Sequence, residues 1–255
     1  MNALGMYLRA MLRQEKYGST NYRIAEYLLN HANIEKLSTQ LLSQACHVSK
    51  SSISRFCKAI GVEDFSELKF LAKQKGYSYK KKFYFDRHTE NEMIDYMDYV
   101  SLKIKEMEEH LNYQLVDQLV HDIHKYQKII LMGISHTINP ASYLQQDLSV
   151  LHKAVYCTDN VNEQKEILMS SGEETLIIVF SGSGAFFERV LPRDRVMERE
   201  HIPCIYQITC QPIEPVSYIK DLIVLNQKVD YTSQLLMNLL AHLIIVRYKT
   251  LYGVS

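Results

Sequence analysis

Leu41-Leu42-Ser43-Gln44-Ala45-Cys46-His47-Val48-Ser49-Lys50-Ser51-Ser52-Ile53-Ser54-Arg55-Phe56-Cys57-Lys58-Ala59-Ile60-Gly61 reads as two short helices joined by a tight turn. Ser38 stands ahead of them as an N-cap, and Leu41 and Leu42 give the first helix an apolar face that ends near Ala45. Past Cys46-His47-Val48 the second helix starts around Ser49 and runs to Gly61, a natural C-terminal cap. Ile53 and Phe56, joined by Cys57 and Ile60, can turn inward, whereas the rest is mostly Ser, Lys and Arg. This is the geometry of a helix-turn-helix whose second helix reads DNA. The candidate DNA-binding residues are Ser49, Lys50, Ser51, Ser52, Ser54, Arg55 and Lys58, whose hydroxyls and cations bond phosphate oxygens and base edges. Arg55 is the one suited to a bidentate contact with guanine, and Ser49 to Ser52 lie where helix N–H groups also favour a phosphate. A polar surface helix with its own N-cap serine would have the same spacing, so the pattern by itself leaves both readings open.

Working outward toward the N-terminus, apolar residues recur at three- and four-residue spacing up to about Lys75, proline is absent, and only Gly5, Gly18 and Gly61 punctuate. This part is all-α. One helix follows the start signal Ser19-Thr20-Asn21, carries Ile24, Ala25, Tyr27 and Leu28 on one side, and stops around Asn30 to Asn33. The formal net charge of zero hides a split: Met1 to Arg87 holds 15 Lys plus Arg against 7 Asp plus Glu, the remainder 14 against 22. The first third is therefore a basic module, closed by Lys80, Lys81 and Lys82, a run that suits a DNA backbone or equally a solvated helix end.

Toward the C-terminus, Thr89 to His124 reads as two helices, with Met93, Ile94, Met97, Val100 and Ile104 as one apolar stripe and Leu115, Val116, Leu119 and Val120 as another, each a core or dimer contact. The period then changes. Lys128 to Gly133, Ala154 to Tyr156, Thr175 to Phe180, Cys204 to Ile208 and Asp221 to Leu225 are short β-type runs, most of them separated by helical patterns. Such alternation predicts a parallel sheet with right-handed crossovers. Tyr231 to Tyr252 is a helix apolar around too much of its circumference for a surface position, so it packs under the sheet or sits in a subunit interface.

The run V-S-x-S-S-I-S-R-F-C-K-x-I-G from Val48 to Gly61, with Phe65 and Glu67-Leu68-Lys69 after it, resembles the N-terminal domain of RpiR-type transcription regulators over about the first 75 residues. That family pairs the module with a sugar-isomerase (SIS) domain, and the β/α half is similar to one. The resemblance implies an all-α helix-turn-helix domain followed by an α/β SIS domain, with expected boundaries 1–76, 77–124 (helical linker and start of the SIS domain) and 125–255. It also implies double-stranded DNA with a pseudo-palindromic operator and a phosphorylated sugar as partners, and a homodimer or tetramer as assembly.

Ligands of open α/β sheets bind at the carboxyl ends of strands, which directs attention to two loops. The first holds Gly133, Ser135, His136 and Thr137, with a sharp turn, hydroxyls and a following helix. The second holds Ser181, Gly182, Ser183 and Gly184, where hydroxyls and free amides can form an anion nest, although a plain turn has the same composition. SIS domains that bind sugar phosphates usually show G-x-G-x-S and S-x-S-G-x-T here; this chain has Phe186 where the threonine is expected. Phe186 could narrow the site, stack on a ligand, or mark a domain that only dimerises.

An isomerase would need a positioned base and acid. Glu163, Glu166, Glu188, His136 and His242 are available, but none sits in a catalytic spacing, so no catalytic residue is assigned and a SIS-fold isomerase stays as the alternative. The five cysteines are scattered without metal-ligand spacing and read as small buried hydrophobes; no cofactor or metal is called for. The longest apolar runs are too short for a bilayer and no signal peptide opens the chain, which points to the cytoplasm.

Overall fold

The computed structural model describes residues 3–31, 33–73, 88–191, 201–214, 216–225 and 227–253. The lysine run at 80–82 and the expected boundary at 76/77 lie outside them. The chain divides into two compact units, one built on the helices up to Lys73 and the other on most residues from His88 onward.

The first unit is all-α: α1 (Ala3–Gln14), α2 (Thr20–Asn30), a 3-10 turn (Ile34–Lys36), α3 (Thr39–Ala45), α4 (Lys50–Ala59) and α5 (Phe65–Lys73). Serines start three of the helices. Ser19, Ser38 and Ser49 sit in extended backbone ahead of α2, α3 and α4, each side chain accepting from the N–H three residues on, which satisfies a donor the helix leaves unpaired. Ile24, Ala25, Leu28, Leu42, Ile53, Phe56, Cys57 and Leu68 meet in one buried cluster. The turn between α3 and α4 closes through Val48 N donating to Ser43 O at 3.0 Å and Ser43 Oγ donating back to Val48 O. His47 in that turn has φ +51°, a left-handed conformation that costs an L-residue about 1 kcal/mol.

The second unit opens with α6 (Glu92–His110) and α7 (Tyr113–Lys125), each capped by an asparagine, Asn91 and Asn112. It continues through β1 (Lys128–Gly133), a 3-10 turn (Ser135–Thr137), α8 (Ile138–Val150), β2 (Tyr156–Thr158), α9 (Val161–Ser170), β3 (Thr175–Phe180), α10 (Phe186–Val190), β4 (Cys204–Thr209), β5 (Asp221–Val224) and α11 (Ser233–Tyr252). All four strand pairings are parallel and the order is β2-β1-β3-β4-β5. One face carries Ile129, Leu131, Leu176, Ile178, Phe180, Tyr206 and Ile208 against α7, α8 and α11. Ile130, Met132, Ile177, Val179 and Ile205 on the other face are buried as well, which is why the strands read as continuous apolar runs rather than alternating ones.

Two expectations shift. β2 starts two residues later than the run from Ala154, because Tyr156 is the first residue in register with β1. The stripe on α6 is core in part: Val100 is buried, beside Met107, whereas Met93, Ile94 and Met97 are more than half exposed. α11 does pack on the sheet, through Leu236, Met237, Leu240, Ala241, Ile244 and Tyr248, and leaves Val246 outside. Arg247 fastens it to α7 by two bonds to Asp117, at 2.6 and 2.8 Å, and these hold the Asp117 carboxyl below the usual carboxylate range. Near the amino ends of β4 and β5, Asp122 accepts from Tyr206 OH and Lys220 Nζ, both at 2.6 Å. Burial first, and then the bond to Asp122, push the Tyr206 phenol far above its usual range.

Candidate functional site

Helix α4 divides cleanly by face. Ile53, Phe56, Cys57 and Ile60 are buried, as the spacing predicts, and Ser49, Lys50, Ser51, Ser54, Arg55 and Lys58 are exposed. Ser52, half-buried, links the two ends of the outer face. Its hydroxyl lies 2.9 Å from Ser49 Oγ and accepts from Arg55 Nη2 at 3.3 Å. Ser49 Oγ also lies 2.8 Å from Ser51 Oγ. The arrangement offers a row of hydroxyls at the helix N-terminus, where partial positive charge gathers, and a guanidinium one turn along that must leave Ser52 to meet a base.

The two predicted loops emerge side by side. β1 and β3 are neighbours with Gly133 opposite Phe180, so Ile134–Thr137 and Ser181–Gly184 leave the same edge of the sheet. It is also the place where the strand order reverses, β2 lying to one side of β1 and β3, β4 and β5 to the other; crevices of doubly wound sheets open at such a point. Gly133 is obligatory there: a Cβ would lie 2.6 Å from Thr137 O and 2.8 Å from Ile138 N, so only glycine lets the following helix start this close. Ser135 is buried with φ +61° and lies 3.5 Å from His136 Nδ1. Thr137 is occupied locally, its Oγ1 accepting from Ile134 N and donating to Ile134 O, both at 3.0 Å.

In the second loop Ser181 is buried, its N–H donating to Ile208 O at 2.9 Å, and Gly184 N donates to Ser181 O at 2.9 Å to close a turn. Gly182 O accepts from Cys210 N at 3.1 Å. Gly184 has φ +78° and a Cβ there would lie 2.5 Å from Ile213 Cγ2. α10, which follows, has five residues. Phe186 begins it and is buried edge-on against Phe187 at 5.2 Å, a core residue rather than a platform for a ligand.

Three residues around these loops were not singled out by sequence. Gln164 on α9 donates from Nε2 to Gly133 O at 2.8 Å and to Thr158 O at 2.7 Å, tying the carboxyl ends of β1 and β2. Gln207 on β4 donates to Gly184 O at 2.7 Å. Both are completely buried, and among the described residues each Oε1 has no partner. Arg189 donates from Nη2 to Ser183 Oγ at 3.3 Å. No sequence signal marks a glutamine inside an apolar strand or an arginine six residues past a serine as a loop partner; their roles arise from the tertiary fold.

Of the acid–base candidates, His136 stands in the first loop beside Ser135. Glu163 accepts from Tyr156 OH at 2.6 Å and from Thr158 Oγ1, and the bond pushes the Tyr156 phenol up. Glu166 and Glu188 are exposed, and His242 lies against Tyr143 with ring centroids 5.7 Å apart.

Residues 6–77 match the model of the helix-turn-helix domain of the rpiR family. An uncharacterised HTH-type transcriptional regulator of Caldanaerobacter subterraneus is 45% identical over 58 residues, 20% of this chain and 21% of that protein; the alignment spans about a fifth of that curated relative. Among solved structures, the Vibrio vulnificus NanR protein complexed with ManNAc-6P is similar over 98% of this chain and 92% of its own, with a TM-score of 0.53 at 14% identity. A Methanococcus jannaschii protein, whose structure infers a molecular function of 3-hexulose-6-phosphate isomerase, is similar over 63% of this chain and 93% of its own, with a TM-score of 0.51 at 19% identity. At such identities the likeness carries the fold. Residues 6–77 thus match the helix-turn-helix domain of the rpiR family, and the second unit shares the parallel α/β fold of these solved structures.

Proposed function

We propose that this protein is a DNA-binding transcriptional regulator of sugar metabolism, controlled by a phosphorylated sugar held between the loops Gly133–Thr137 and Ser181–Gly184. The observation that carries the reading is the pairing of an rpiR-family helix-turn-helix with two hydroxyl-bearing loops at the reversal point of a SIS-fold sheet. Ser49, Lys50, Ser51, Ser52, Ser54, Arg55 and Lys58 contact the operator, with Arg55 reading a base and the rest positioning the backbone. Gly133, Ser135, His136, Thr137, Ser181, Gly182, Ser183 and Gly184 form the effector site. Thr137 and the glycines shape it, and the serines and His136 supply bonding groups.

Functional segments at 1–76, 77–124 and 125–255 then correspond to reader, helical coupling and sensor. Two copies joined through their sensor domains hold two readers at the spacing of successive major grooves of a pseudo-palindrome, and the protein works in the cytoplasm, beside the chromosome. The effector shifts DNA affinity by binding one arrangement of the dimer better than the other. The protein is not an enzyme in this reading: of the acid–base candidates only His136 stands in the first loop, no catalytic spacing links it to Glu163, Glu166, Glu188 or His242, and a basic reader has no purpose in an isomerase. The ManNAc-6P bound to the similar Vibrio vulnificus protein makes amino-sugar phosphates the first compounds to try.

The test has two arms. Duplex binding should fall steeply and log-linearly with salt, and a panel of phosphorylated sugars and amino sugars should contain one that raises the melting temperature and loses that effect in Ser181→Ala/Ser183→Ala. Turnover of a ketose or amino-sugar phosphate would move the protein to the isomerase class. Salt-dependent DNA binding with no response to any compound would make the second domain a dimerisation module, the reading that Phe186 in place of a loop hydroxyl favours.

A further inference from the structure

We infer that Arg189 supplies the fixed positive charge of the effector site, so that the site selects a phosphomonoester over the unphosphorylated sugar. This rests on the effector reading above and adds to it the group that recognises the charge. The loops themselves bring neutral donors: Ser135, Ser181 and Ser183 offer hydroxyls, and Thr137 spends its own on Ile134. From Gly133 to Val150 there is no Lys or Arg, and from Ser181 to Leu191 there is only Arg189. Its guanidinium lies at the loop rather than away from it, Nη2 standing 3.3 Å from Ser183 Oγ. A ligand oxygen hydrogen-bonded to Ser183 Oγ, at about 2.7 Å, is therefore within about 6 Å of Nη2. A guanidinium meets two phosphate oxygens at once with its planar fork, which is the recognition assigned to Arg189.

The packing around α10 explains why an arginine can serve there. Phe186 is 1% exposed and meets Phe187 edge-on at 5.2 Å, and Phe187 meets Tyr218 edge-on at 5.2 Å. These rings anchor the five-residue helix, and Arg189 follows Phe186 by three residues, less than one turn on, which returns it toward the loop. Gly184, held at φ +78° against Ile213, fixes the other side of the bend. The hydrocarbon at 186 thus removes one hydroxyl from the loop, and the guanidinium it helps to place provides two N–H donors and a charge. A site built so gains most from a dianion and little from a neutral hydroxyl.

The experiment uses the full chain, calorimetric titration, and three probes: inorganic phosphate, the sugar phosphate from the panel that raises the wild-type melting temperature most, and the same sugar without phosphate. Arg189→Gln should weaken binding of the sugar phosphate by about 30- to 100-fold and flatten its salt dependence, and Arg189→Lys by about 10-fold, because charge without the fork recovers part of the recognition. Inorganic phosphate should follow the same order, and the unphosphorylated sugar should bind wild type and both variants equally weakly. Ligand-free melting temperatures within about 2 °C of wild type certify the folds; if Arg189→Gln falls outside that window, Arg189→Lys carries the comparison. Wild-type affinity and salt dependence retained in both variants would overturn the role of Arg189 while leaving the effector reading intact. A wild type that responds to no phosphorylated sugar would remove that reading and this inference together.

Discussion

Helix α4 and the two loops of the sheet domain divide labour between fold and function in opposite ways. On α4 the inward residues Ile53, Phe56, Cys57 and Ile60 hold the domain together, and among the outward ones Ser49 caps the helix while Lys50, Ser51, Ser54, Arg55 and Lys58 are exposed. In the loops the residues proposed to meet the ligand also hold the fold. Gly133 has backbone where a Cβ would go, Gly184 sits in left-handed backbone, Thr137 closes its own turn, and the N–H of Ser181 bonds to β4. A reading helix can therefore change its specificity one side chain at a time, whereas an effector loop changes its chemistry only with its shape.

Four substitutions probe these two regions, in order of falling cost. Phe56→Ala should cost about 3–5 kcal/mol by opening a cavity in the first unit, read as the loss of urea resistance by circular dichroism; a loss below 1 kcal/mol would mean that α4 is not fixed by its inner face. Gly133→Ala should cost about 3 kcal/mol, since the atoms it strikes are backbone and cannot turn away, and should abolish any ligand-induced rise in melting temperature. A stable Gly133→Ala protein with a full ligand response would separate shape from chemistry in the first loop. Arg55→Ala should leave stability within about 0.5 kcal/mol and remove about 1–3 kcal/mol of discrimination at one base pair. Unchanged base preference, tested on single-substituted duplexes, would leave Arg55 a backbone contact. His47→Gly should stabilise by about 0.5–1 kcal/mol, because glycine adopts φ +51° without strain. A drop in melting temperature would show that the imidazole contributes more to the turn than its backbone costs.

Much of this architecture was legible in the chain because it rests on local rules. The serine caps of α2, α3 and α4 and the inner face of α4 follow from helix chemistry, and the bounds of β1 and β3 from uninterrupted apolar runs. Two kinds of feature escaped. Hydrophobicity marks Met93, Ile94, Met97 and Val100 alike as apolar without saying what covers them, and α6 turns only Val100 of these inward, together with Met107. It also buries Asp95, whose carboxylate accepts from the N–H groups of His88 and Thr89, a bond no periodicity announces. At the candidate effector site the serines and glycines were visible as a motif. Gln164, Gln207 and Arg189 were not, because each acts on a loop that the fold, and not the sequence order, brings to it.

Helix α11 has a further consequence, one for biosynthesis. Its row Leu236, Met237, Leu240, Ala241, Ile244 and Tyr248 forms part of the cover of a sheet whose first strand begins at Lys128. A ribosome adding about 5–20 residues per second needs on the order of ten seconds to travel from that strand to Tyr252. The first unit has all its helices by then, while β1 and β3 wait with one apolar face incompletely covered, in the state where chains are most prone to associate wrongly. The nascent α/β domain is thus the part of this protein with most to gain from a chaperone, and shortening α11 at its end should show itself first as lost soluble yield, before any change in DNA binding.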